Sequence, residues 1–114
     1  MIAWYQPEEF WRIVEARRGD GPSPDGSFTF QMPLQEIRGR IPMVAPTFTP
    51  VKEGDFPGPV ERWYGSVGSC LFTMTFHYSG PLANLVVIEH QPGVQAEKIV
   101  KEAIDRWRSE SPYG

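Results

Sequence analysis

His77 is the residue from which chemistry is most readily built. It belongs to the run Cys70-Leu71-Phe72-Thr73-Met74-Thr75-Phe76-His77-Tyr78, which alternates strictly between apolar and polar side chains from Phe72 onward. In a strand, Cys70, Phe72, Met74, Phe76 and Tyr78 share one face, and Leu71, Thr73, Thr75 and His77 share the other. A histidine among threonines on the polar face of a sheet can act as a general base or as a hydrogen-bond partner for a ligand. No nucleophile or carboxylate at triad spacing accompanies it, so the plainer expectation is a half-exposed strand histidine without a task. The segment Val60–Ser66 reads as the other arm of a hairpin. If the connecting loop holds an even number of residues, Trp63 joins the Cys70/Phe72 face, while Arg62 and Tyr64 join Thr73, Thr75 and His77. Arg62, Tyr64, Thr75 and His77 are therefore the candidate binding residues, lining a cup between sheet and helix.

Other chemistry is sparse. His90 follows Glu89 and lies thirteen residues after His77. With one cysteine and scattered carboxylates this makes no zinc spacing, and neither metal nor cofactor is expected. Cys70 lies on the apolar strand face, where a thiol serves as a small core residue rather than a nucleophile. A lone cysteine forms no intrachain disulfide, which suits a reducing compartment and a cytoplasmic location. Gly65-Ser66-Val67-Gly68-Ser69 has no following lysine and no following helix, so it reads as a hairpin turn and not a phosphate-binding loop. Neither G-x-G-x-x-G nor G-x-S-x-G occurs. Arg18-Gly19-Asp20 matches the tripeptide read by integrins, but its residues suit a helix end, a cap and a turn.

The 114 residues suffice for a single domain, residues 1–114. Gly (11) and Pro (12) form about a fifth of the chain, which favours strands and turns over a helical bundle. Lys and Arg number 11 against 14 Asp and Glu, so the chain is acidic, with net charge -3. Arg17, Arg18, Arg38 and Arg40 could form a local basic patch, yet the overall charge argues against nucleic-acid binding. Met1–Tyr5 lacks a basic stretch followed by an apolar one, and Glu8 and Glu9 come early, so no secretory leader is expected. Residues 63–88 carry no Asp, Glu, Lys or Arg, but Gly65, Gly68, His77, Gly80, Pro81 and Asn84 divide them into strands, and no membrane partner is expected.

The positioning elements follow from periodicity. A first helix is expected over Pro7–Arg18, with Gly19 as its left-handed terminator. Gly19–Ser27 reads as a loop, Phe28–Met32 as a strand, and Leu34–Gly39 as either a helical turn or a lead-in to the next strand. Pro42, Pro46 and Pro50 are spaced by four, so within Ile41–Val51 they remove donors from one side only. That fits an edge strand, with a polyproline-like segment as the rival reading. Lys52–Pro59 reads as a loop and Leu85–Ile88 as a central strand. Ala96, Ile99, Val100, Ala103, Ile104 and Trp107 define the buried stripe of a helix over Val94–Ser109. The fold class is α+β: an N-terminal helix, a four- or five-stranded mostly antiparallel sheet, and a C-terminal amphipathic helix packed on one sheet face. Residues 1–6 and 110–114 read as flexible tails, the first alternatively as a short strand.

Aromatic residues make up 13% of the chain. Trp4, Tyr5, Trp11 and Phe56 fall in tails, loops or helix flanks that a small core does not easily reach. They are candidate interface residues for a protein partner or a dimer. The leading expectation is a small, acidic, non-enzymatic protein-interaction module, of accessory, chaperone-like or inhibitor type. The alternatives are a small-molecule-binding protein or minor enzyme using the Arg62/Tyr64/Thr75/His77 cup, and a single-stranded nucleic-acid binder stacking bases on the sheet.

Overall fold

Strand β4 (Val60–Val67) and strand β5 (Cys70–His77) are joined by only two residues, Gly68 and Ser69. So short a hairpin needs a left-handed residue at its first turn position, and Gly68 supplies it with φ +58°. Pairing runs outward from Val67↔Cys70 through Trp63↔Met74 and Arg62↔Thr75 to Val60↔His77. The loop is even, so the aromatic and polar residues sort to opposite faces as the alternation requires.

In this computed structural model, residues 2–18, 21–41, 46–49, 59–78 and 83–110 are described. The further elements are β1 (Ile2–Tyr5), α1 (Pro7–Ala16), β2 (Ser23–Gln31), α2 (Leu34–Arg40), β3 (Thr47–Thr49), β6 (Leu85–His90) and α3 (Val94–Ser109). The sheet is antiparallel in the order β1-β4-β5-β6-β2, and β3 also pairs with β4. β1 lies against residues 64–67 and β3 against residues 60–62, so the two share one edge of β4 end to end. This is the expected α+β architecture.

The sheet is covered on both faces. Beneath α3 and α2 lie Trp63, Phe72, Met74, Phe76, Val86 and Ile88, packed on Ile37, Val100, Ile104 and Trp107. On the opposite face α1 lays Phe10 and Val14 over Tyr64 and Leu71. Full burial of each large apolar side chain contributes about 1.5–3 kcal/mol, so both layers matter to a domain with only ~5–15 kcal/mol in hand. α3 has the expected bounds, with Glu97 in its first turn and Arg106 and Arg108 in its last, complementing the helix dipole. Ile99, expected on the buried stripe, lies at its margin and is 39% exposed.

Two alternatives left open by the sequence are resolved and two expectations need correction. Residues 2–5 are not a tail, because their backbone pairs with β4. α1 ends at Ala16, two residues short of Arg18, because Arg18 itself takes the left-handed position (φ +58°). Leu34–Arg40 resolves to a helix with Ile37 buried. The loop expected over Gly19–Ser27 is partly strand: Ser23 pairs with His90 and Ser27 with Glu89, and the residues between them bulge. The turn-forming residues there bend the strand rather than ending it. Of the proline-spaced segment, Thr47–Thr49 is a strand, while Pro42 and Pro50 lie outside the described residues, as do Gly19, Asp20 and residues 52–58, where a loop was expected. Among the described residues no helix is long and apolar enough to cross a membrane.

The bulge depends on Gly26. A β-carbon there would lie 2.8 Å from His90 Nδ1 and 2.8 Å from its carbonyl oxygen, and His90 is buried and cannot move aside. Gly26→Ala is therefore expected to destabilise the fold by about 1–3 kcal/mol, read from urea midpoints. An unchanged midpoint would remove this close approach from the account.

Candidate functional site

Arg62, Thr75 and His77 do meet. Arg62 faces Thr75 across the β4/β5 pair, and its Nε donates to Thr75 Oγ1 at 2.9 Å. His77 sits one pair further along the same face, and Thr47 of β3 faces Arg62 from the other side. Tyr64 is separated from them: it is buried under α1, with ring centroids 4.9 Å from Phe10 and 5.7 Å from Trp11. His77 was expected to be half-exposed. It is 8% exposed, because the threonine face is covered, with Thr73 and Thr75 also buried. His77 Nδ1 and Thr47 Oγ1 are both shut off from water without a hydrogen-bond partner. The face is thus closed to water at these two atoms.

Burial, and then the positive charge of Arg62, lower the pKa of His77 below its usual 6.5. The folded protein therefore resists a proton that the unfolded chain accepts. Stability from this source is present above about pH 6.5 and declines as pH falls toward the lowered folded value. Urea midpoints of the parent should drop between about pH 7.5 and pH 5, and His77→Leu should drop less over the same window. Equal slopes for the two proteins would contradict this.

A second cluster lies at the same end of β4 but on the opposite, α3 face of the sheet, and escaped the sequence reading. Glu61 is almost wholly buried, and its Oε1 accepts from Arg38 Nη2 at 2.6 Å and from the Tyr78 hydroxyl. Burial, with the Glu61 hydrogen bond and charge, pushes the Tyr78 phenol up to about 12, so it stays a donor. Glu61 Oε2 is buried without a partner. The apolar/polar alternation hides this arrangement, since Glu61 occupies an inward position otherwise filled by Trp63 and Val67.

An open concavity lies elsewhere. A cavity of about 340 Å³ opens between β1 and the last turns of α3, bordered by Ile2, Trp4, Ala103 and Trp107 with Arg40, Arg106 and Glu110. Trp4 pairs with Gly65 across the strands, and its indole packs 5.6 Å from Phe72 and 5.9 Å from Trp107. Arg40, the last residue of α2, ties this border to α3. Its Nη1 donates to the carbonyls of Trp107 (2.9 Å) and Glu110, and its own carbonyl accepts from Trp107 Nε1 at 3.3 Å. These bonds satisfy carbonyls that a helix C-terminus leaves without partners.

The other candidate residues are dispersed. Tyr5 is half-buried against the α1 layer, with its hydroxyl 2.9 Å from Ser66 Oγ. Trp11 is 46% exposed on α1, and Phe56 lies outside the described residues. Arg17 is spent on the Ser69 carbonyl and Arg38 on Glu61, so two arginines of the prospective basic patch make internal contacts. Cys70 is a buried free thiol. Among the described residues no cluster of three His, Cys, Asp or Glu side chains could hold a metal ion. No known protein family, curated protein or solved structure matches the chain.

Proposed function

We propose that this protein is a non-enzymatic binding protein that takes a small planar molecule into the β1/α3 cleft. The observation that carries this reading is the cavity itself. Its volume, about 340 Å³, falls at the lower end of ordinary small-molecule pockets, ~300–1,000 Å³. Its wall is two indoles, large apolar surfaces that order at little entropic cost. Among the described residues the lining supplies stacking surface and charge but no nucleophile paired with a base, which favours capture over turnover. Titration with benzyl alcohol, followed by NMR, should shift the indole N–H signals of Trp4 and Trp107 and leave those of Trp11 and Trp63 in place. Ala103→Phe, which fills the cleft, should abolish the shifts. Shifts that persist in that variant, or that centre on Trp11, would overturn the reading.

A second reading, the acidic interaction module, keeps one observation in its favour: Trp11 at the flank of α1 is 46% exposed although its ring packs on Phe10 and Tyr64. Tryptophan is enriched among residues that dominate protein interfaces. Self-association through α1 should then appear as concentration-dependent sedimentation that Trp11→Ser abolishes. A monomer at every concentration would remove self-association from consideration.

A further inference from the structure

The charges around the cleft specify its ligand further; this step rests on the cleft being the binding site. Arg106 and Glu110 stand one helical turn apart, at a spacing that ordinarily lets opposite charges pair. Among the described residues they form no ion pair, either with each other or with another side chain. Both are exposed at the rim. Arg40, on the same border, is held in place by the carbonyls it caps, and its Nε is buried without a partner. The cleft thus presents a fixed cation, a free cation and a free carboxylate around one aromatic wall. The C-terminal end of α3 adds partial negative charge on the side of Glu110.

A simple anion would satisfy the arginines and be repelled by Glu110. A simple cation would satisfy Glu110 and meet two guanidinium groups. A zwitterion satisfies both. The Trp4 and Trp107 rings already touch, so a ligand ring lies against the pair and not between them. We propose that the cleft binds a free aromatic α-amino acid, with its ring on the indoles, its carboxylate toward Arg106 and Arg40, and its ammonium toward Glu110. Arginine offers the carboxylate a planar, two-pronged donor set, the geometry that such recognition favours. A peptide end carries only one of the two charges and is the poorer fit.

Three probes with the same ring test this: L-phenylalanine, phenylacetate, which lacks the ammonium, and phenethylamine, which lacks the carboxylate. Calorimetric titration of the intact protein, with the Trp4 and Trp107 signals as the site report, should show L-phenylalanine binding about tenfold tighter than either analogue. Arg106→Gln should weaken L-phenylalanine without weakening phenethylamine, and Glu110→Gln should weaken L-phenylalanine without weakening phenylacetate, since each analogue loses only a like-charge repulsion. Both positions are exposed, so the fold should survive. An analogue that binds as tightly as L-phenylalanine, or a variant that binds it as the parent does, overturns the zwitterion assignment while leaving a binding cleft. No response at Trp4 and Trp107 to any probe, benzyl alcohol included, overturns the cleft reading as well.

Discussion

The two-residue turn at Gly68-Ser69 is the constraint on which the rest of this structure depends. It sets the register of β4 against β5, and the register decides which residues meet which helix. A slip of one residue would turn one strand's apolar set away from α3 and bring its polar set under that helix. Several large side chains worth ~1.5–3 kcal/mol each would then lose their burial, more than a small domain can lose and stay folded. β1, β3 and β6 pair onto this hairpin, so they inherit its sorting of faces.

The cleft follows from how α3 ends on that sheet. A helix terminus leaves carbonyls that need donors, and here an arginine from a different helix provides them. Trp107 returns a bond to the same arginine, which ties α2 to α3 and holds the indole at the mouth of the cavity. Gly65, the strand partner of Trp4, leaves room for the Phe72 ring on which Trp4 packs: a β-carbon there would lie 2.7 Å from that ring. A strand position that looks like a weakness in the sheet is where an aromatic ring passes. The arginine that could have served a surface patch is instead fixed at the cleft by the carbonyls it caps, beside Arg106 and Glu110, which form no ion pair among the described residues.

The alternation of residues 72–78 and the helical stripe of α3 were legible because both are local periodicities. The even hairpin loop was enough to place Trp63 and Arg62 on their faces. The burial of His77 was not legible, since it depends on what covers the threonine face and not on β5 itself. The strand at Ser23 was hidden by Pro24, Asp25 and Gly26, whose turn propensity is real but is expressed as a bulge. The cleft was the least legible feature. Ile2 and Trp4, then Arg40, then residues 103–110 are separated by most of the chain, and no spacing rule joins them. Trp4 could be singled out only as an aromatic that the core did not obviously need. Its packing on Phe72 and Trp107 shows that it serves the core and the cavity at once.

The most direct test of the account is a crystal structure of the protein grown with L-phenylalanine. The account predicts ligand density in the β1/α3 cleft, with the ring against Trp4 and Trp107 and the carboxylate within hydrogen-bond distance of Arg106. Density beside Arg62 and His77 on the opposite face of the sheet, with the cleft holding only water, would contradict it.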